Sequence, residues 1–178
     1  DIRKVWEEER LRVLGVQYKG AGFGEGKFVP CVPSWTKKIM NDFVDQIGGT
    51  ITESNAVGTL REEADDDAIV VAAAGSLPAD LERLWVTGAP NSYNMEYGAS
   101  CMGYEIAGAF GAKLAEPDKE VYALVGDGSF MMLNSEIPTA MQENAKITVV
   151  VFDNCAFGCI NNLQMGNGVG SLATEMRH

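Results

Sequence analysis

The chain is short of the groups from which many catalytic and nucleic-acid sites are built. It has one histidine, His178, the last residue. One terminal imidazole excludes histidine-based triads and zinc sites. Positive charge is scarce: 14 Lys and Arg stand against 25 Asp and Glu, a formal net charge of -11. Nucleic acid is excluded as a partner, because phosphate binding without a metal needs a basic face. No segment has the roughly 20 consecutive apolar residues of a membrane span, and no secretory leader is visible. The chain therefore reads as cytoplasmic, with no membrane partner. Cysteine is limited to Cys31, Cys101, Cys155 and Cys159. A chain this long with an ordinary core has no need of a disulfide framework. These residues read as buried or loop thiols, and no second pair completes a metal site around Cys155 and Cys159. There is no internal repeat and no low-complexity tract.

What is present is an ordinary globular composition, 46% apolar and 22% charged over 178 residues. That is enough for one domain with a core, plus a linker. Asp1 is not a natural start, so the expectation is a piece of a longer protein. Residues 1–50 read as a linker or the tail of a preceding domain. They hold a charged stretch near 5–12, a glycine-rich loop over 20–26 and a short helix over 35–47. Residues 51–178 read as the main domain. Thr52 is a plausible N-cap for a helix reaching about residue 64. Asp65-Asp66-Asp67 is a solvated turn. The apolar run over 69–73 reads as a fully buried parallel strand. It ends in Gly75-Ser76-Leu77-Pro78, and a helix follows toward residue 84. A helix over 103–115 is rich in glycine and alanine, which propensity would not choose and close packing would. Strands over 121–125 and 147–152 flank a helix over 133–144. The fold class is thus α/β, a doubly wound parallel sheet with flanking helices and at least three strands. Such sheets have about five or six strands, so the expectation is a domain cut short at its C-terminus.

Two residues carry the chemistry. Asp127 stands in Gly126-Asp127-Gly128-Ser129, directly after the strand over 121–125. Asn154 comes 27 residues later, directly after the strand over 147–152. One carboxylate and one amide oxygen thus sit at the carboxyl ends of parallel strands, where open α/β sheets bind ligands. Hard oxygen ligands suit Mg²⁺, which bridges proteins to phosphates. Gly126 and Gly128 let the backbone approach a phosphate, and N–H groups opening a helix favour its charge. An acidic protein that binds a diphosphate needs such a cation between the two.

Gly126-Asp127-Gly128, its flanking strands and Asn154 resemble the signature of the thiamine diphosphate enzymes, in their pyrophosphate-binding domain. The family pattern often ends in two asparagines; here Asp153 precedes Asn154, which holds the ligand position. The resemblance implies thiamine diphosphate and Mg²⁺ as cofactors. It implies Mg²⁺ ligands at Asp127, Asn154 and the Ala156 carbonyl. The diphosphate would be held by Ser129, through its N–H and hydroxyl, and by Gly75 and Ser76. Ser100-Cys101-Met102-Gly103 is similar to a segment of acetolactate-synthase-type members. There Met102 would wedge under the cofactor, and the Ser100 carbonyl would accept from the aminopyrimidine. Phe157 and Gly158 would border the thiazolium, in a loop over 157–164 whose Asn161, Asn162 and Gln164 are either substrate contacts or solvated polar residues.

Segments 72–78, 100–108, 126–133 and 157–164 narrow the resemblance to a branch that hydrolyses a carbon–carbon bond of a cyclic 1,2-diketone in inositol catabolism. Family members place the activating glutamate in a separate pyrimidine-binding domain, of the same or a partner subunit. No candidate for it stands out here; Glu105 and Glu136 read as structural. The resemblance also implies a homo-oligomer. The alternatives are an acetolactate-synthase-like lyase or synthase, a non-catalytic cofactor-binding module, and a flavodoxin-like or dinucleotide-binding domain.

Overall fold

Val70 and Ala72 point to one side of their strand and Ile69 and Val71 to the other, and all four are buried. Burial on both faces requires helices on both faces, and the chain supplies them. The computed structural model describes residues 51–96 and 98–176. The expected helices near 5–12 and 35–47, the glycine loop over 20–26, Cys31 and His178 lie outside the described residues.

Thr52 caps α1 (Glu53–Glu63), its side chain accepting the Asn55 N–H at 3.1 Å. Then come β1 (Ile69–Ala72), α2 (Leu77–Leu84), β2 (Tyr93–Met95), α3 (Tyr104–Ala115) and β3 (Val121–Gly126). The order closes with α4 (Asp127–Met132), α5 (Glu136–Gln142), β4 (Thr148–Phe152) and α6 (Gly158–Gly166). All strand pairs are parallel, in the order β2-β1-β3-β4.

One core layer packs Val57 of α1 and Leu77 and Leu81 of α2 against Val70, Ala72 and Leu124. The opposite layer packs Ile106 and Ala109 of α3 against Ile69, Val71, Val121 and Ala123, with Ile137 of α5 beside them. This is the doubly wound arrangement the sequence implies.

Two expectations need correction. The helix expected over 133–144 is the shorter α5, and a separate helix, α4, precedes it across a break at 133–135. A single helix through both would set Pro138 in its interior, without an N–H and against the carbonyl of Asn134. In α5 the proline stands in the first turn, where N–H groups have no partner in any case. The segment over 157–164 is no loop; most of it lies in α6. Of the described cysteines, all exposed, Cys101 and Cys155 are loop thiols, and Cys159 stands in α6. A fourth strand, β2, also went unforeseen: three half-buried residues, Tyr-Asn-Met, lack the apolar run that marks its neighbours.

Candidate functional site

The chain leaves β1 toward β2 on one side and returns over β1 to β3 on the other. The loops after β1 and β3 therefore diverge and leave a crevice at the strands' carboxyl ends, where ligands of open α/β sheets sit. A cleft of about 300 Å³ occupies this position. Its walls include Gly75 and Ser76 after β1, and Gly126, Asp127, Gly128 and Ser129 after β3. Ser100 and Met102, from the loop before α3, join them. Asn154, Ala156, Phe157 and Gly158, after β4, complete it. The structure thus gathers in one cleft all the residues that the sequence singles out for cofactor and metal.

The donor set is oxygen. Asp127 Oδ2 and Asn154 Oδ1 both accept the N–H of Ala156, at 3.2 and 3.0 Å. The two side chains, 27 positions apart in sequence, converge on one backbone atom. Asp127 Oδ1 accepts the Gly128 N–H at 2.8 Å, which holds the carboxylate at the mouth of the turn. Among the described residues no three His, Cys, Asp or Glu side chains gather as a metal cluster. A cation here would be held by one carboxylate, one amide and a main-chain carbonyl, a hard set that fits Mg²⁺.

Glycine makes the approach of the two loops possible. A Cβ on Gly128 would lie 2.5 Å from the Phe157 ring, and one on Gly158 would lie 2.7 Å from Asn154 Nδ2. The segment after α6 fixes the loop from outside. Phe157 N–H donates to the Thr174 carbonyl at 2.7 Å and Met176 N–H to the Cys155 carbonyl at 2.8 Å. Asn161 and Gln164 serve the same segment. Asn161 Oδ1 accepts from Thr174 Oγ1, and Gln164 bonds both the N–H and the carbonyl of Leu172. Neither lines the cleft, and Asn162 is exposed outside it; Ile160 and Leu163 of α6 line it instead.

The loop before α3 is held by Glu96, whose carboxylate accepts the N–H groups of Ala99 and Cys101 at 3.1 and 2.5 Å. These backbone donors lower the Glu96 carboxyl below the usual range, and the Glu96 charge raises the Cys101 thiol. Ser100, between the two donors, has a left-handed backbone with φ 53°. Cys155, across the cleft, has φ 54°, and the Asp153 carboxylate raises its thiol. Left-handed non-glycine residues concentrate where the surroundings impose a conformation.

Two carboxylates were not legible as site residues. Glu105 is 1% exposed beneath the cleft. It accepts the Ser129 hydroxyl at 2.8 Å and the Gly103 N–H at 2.9 Å. The Ser129 hydroxyl also accepts from the Gly103 N–H at 2.7 Å. Its proton is committed to Glu105, which leaves the Ser129 N–H as the group to face a ligand. Glu53, the first residue of α1, lines the cleft beside Ser76. Its signal is spatial only, since α1 lies far from the glycine loops in sequence.

Comparison with known proteins gives a family. Residues 73–177 match the model of "Thiamine pyrophosphate enzyme, C-terminal TPP binding domain". The chain is 55% identical over its whole length to "3D-(3,5/4)-trihydroxycyclohexane-1,2-dione hydrolase" of Clostridium perfringens (strain 13 / Type A). It is 53% identical, again over its whole length, to the protein of that name from Bacillus thuringiensis (strain Al Hakam). In both cases it spans 27% of the relative's length. Among solved structures it is similar to a Rhodococcus jostii RHA1 thiamine diphosphate-dependent 4-hydroxybenzoylformate decarboxylase. The TM-score is 0.67 at 23% identity, over 74% of this chain and 25% of that one, a likeness of fold.

Proposed function

This chain belongs to the thiamine pyrophosphate enzymes, matched along their C-terminal cofactor-binding domain, and from that premise we propose that it holds the diphosphate and Mg²⁺ of a carbon–carbon hydrolase. The substrate proposed is a cyclic 1,2-diketone, trihydroxycyclohexane-1,2-dione, opened to 5-deoxyglucuronate in inositol catabolism. Family membership sets aside the flavodoxin-like and dinucleotide-binding alternatives. The names of relatives 53–55% identical over the whole chain favour the hydrolase over an acetolactate-synthase-like reading.

One observation carries the cofactor part: the oxygens of Asp127 and Asn154 meet at the N–H of Ala156, at the crevice of the sheet. Asp127, Asn154 and the Ala156 carbonyl would hold Mg²⁺. Gly75, Ser76, Gly126, Gly128 and the Ser129 N–H would hold the diphosphate. Met102 and the Ser100 carbonyl would position the aminopyrimidine, and Phe157 and Gly158 would border the thiazolium. The bound cofactor would supply the carbanion-stabilising chemistry; the protein would bind and orient it.

The cleft is one half of a site on this reading. The other half, a pyrimidine-binding domain with the activating glutamate, would come from elsewhere in the same or a partner subunit of a homo-oligomer. Exposed apolar side chains support such a partner: Met131 (70%), Met132 and Leu133 around α4, Met141 (74%) on α5, and Leu163 and Met165 on α6. Residues 1–50 would join the preceding domain to this one. The chain alone would then bind little cofactor and turn over none.

The test is calorimetry of the complete enzyme with thiamine diphosphate, with and without Mg²⁺. Saturable binding that needs Mg²⁺ is expected, and Asp127→Ala should abolish it. Unchanged affinity in Asp127→Ala would refute the metal assignment. Ring-opening of the diketone by the loaded enzyme, with no activity toward pyruvate, separates the hydrolase from a synthase.

A further inference from the structure

The cleft is acidic on both sides. Asp127 and Glu53 line it, and among the described residues no lysine, arginine or histidine does. A diphosphate brought between two carboxylates needs positive charge at each. The oxygens at Asp127 and Asn154 give a cation a place on one side. The described residues offer nothing comparable on the other side, where Glu53 stands beside Ser76 of the loop after β1.

The surroundings of Glu53 show what fills the gap. Its Oε2 accepts the Ser76 hydroxyl at 2.9 Å. Its Oε1 is buried without a partner, the one such side-chain oxygen or nitrogen among the described residues. A buried carboxylate oxygen with no donor is costly, and an added proton removes most of that cost. Burial indeed raises the Glu53 carboxyl; the Ser76 bond opposes this and the Asp80 charge adds to it. The charged groups around it are few. Asp80 on α2 is tied to the Ser54 hydroxyl and to Arg83, at 2.7 and 3.6 Å. Asp127 lies at the end of β3, and the Cys159 thiol on α6 lines the same cleft. Among the described residues no cation is paired with Glu53.

We infer that Glu53 is a protonated contact for a phosphoryl oxygen of the bound cofactor, so that cofactor loading takes up one proton from solvent. The proton goes to the Glu53 carboxylate, and the resulting O–H donates to the anionic oxygen. Either carboxyl oxygen can present it, because the terminal torsion of glutamate is broad and twofold. Ser76, released from donating to the Glu53 carboxylate, turns its hydroxyl to the same ligand. Mg²⁺ neutralises the diphosphate on the Asp127 side and the proton on the Glu53 side. This inference rests on the diphosphate placement proposed above.

The sign of the pH effect follows. Binding raises the Glu53 pKa, so affinity falls as pH rises from its value in the free protein to its value in the complex. The fall approaches tenfold per pH unit within that window. The probe is thiamine diphosphate at saturating Mg²⁺, titrated into the complete enzyme by calorimetry from about pH 6 to about pH 8. Two buffers of different ionisation heat at each pH give the number of protons exchanged. The cofactor's own phosphate ionises alike in all proteins, so the difference between proteins is the quantity read. Wild type should take up about one proton more than Glu53→Gln, whose affinity should vary less with pH. Glu53→Met repeats the comparison if the glutamine variant does not fold. Equal proton counts and equal pH slopes, with Mg²⁺-dependent binding intact, overturn this inference alone. Absence of Mg²⁺-dependent binding in wild type overturns the cofactor reading and this one with it.

Discussion

A buried carboxylate with no ion partner depends on each donor it has. Glu105 is held by two, the Ser129 hydroxyl and the Gly103 N–H. Ser129→Ala removes the first and leaves a buried carboxyl oxygen short of a donor. The expected cost is about 1–3 kcal/mol, read as a lower denaturation midpoint in urea. Cofactor affinity should change far less, because the hydroxyl is committed to Glu105 and the backbone N–H at this position survives the substitution. The converse, full stability and lost affinity, would return the hydroxyl to the ligand.

Residues of this kind differ in how legible they are. Asp127 and Asn154 could be read because each directly follows an apolar strand, so the fold class alone put them at one end of the sheet. Glu53 and Glu105 carry no such mark. Each stands in the first turn of a helix, where an acidic residue is unremarkable, and only packing of α1 and α3 brings them to the cleft.

At the scale of the element, α3 shows how a helix that propensity disfavours is retained. A Cβ on Gly108 would lie 2.8 Å from the Tyr104 ring of its own helix and 3.1 Å from Val71 Cγ1 of β1, so the glycine sits in a close fit between its helix and the strand. Gly111, one turn on, is exposed with nothing within 4 Å. The reading that close packing selects these glycines holds for the first and fails for the second. Gly108→Val should destabilise by about 1–3 kcal/mol through overpacking. Gly111→Ala should stabilise by up to about 1 kcal/mol through helix propensity. Thermal melts of the two variants give opposite shifts if this is right.

Elements with strong periodicity or a full apolar run were legible to within a residue or two: α1, β1, α2, α3, β3 and β4. Those missed had weaker local signals. β2 is three residues long and half-buried, so its pairing with β1 decides its conformation rather than its composition. The break between α4 and α5 is set by one residue, Pro138, in a stretch otherwise suited to helix. α6 has no buried residue and begins Gly-Cys-Ile-Asn-Asn, so neither pattern nor propensity announces it.

At the scale of the whole molecule, the described surface around the cleft is more apolar than a chain of net charge -11 suggests. Negative charge is spread elsewhere, while α4, α5 and α6 expose methionine, leucine and isoleucine. If these helices dock a partner domain, Met141→Glu and Met165→Glu should shift the complete enzyme to smaller assemblies. The stability of the domain itself should change by no more than about 0.5 kcal/mol, since both sites are exposed. Light scattering after size-exclusion chromatography reads the first, and denaturant melts the second.

Methionine is also the residue by which this surface would age. Met131, Met132, Met141 and Met165 are all more than half exposed. Mild peroxide turns an accessible thioether into a polar sulfoxide, while sheltered side chains survive. Oxidant would thus roughen the outer faces of α4, α5 and α6 before it reached the buried sheet. If these helices dock a partner domain, that contact would be lost first and the fold last, and methionine sulfoxide reductase would restore what had been lost.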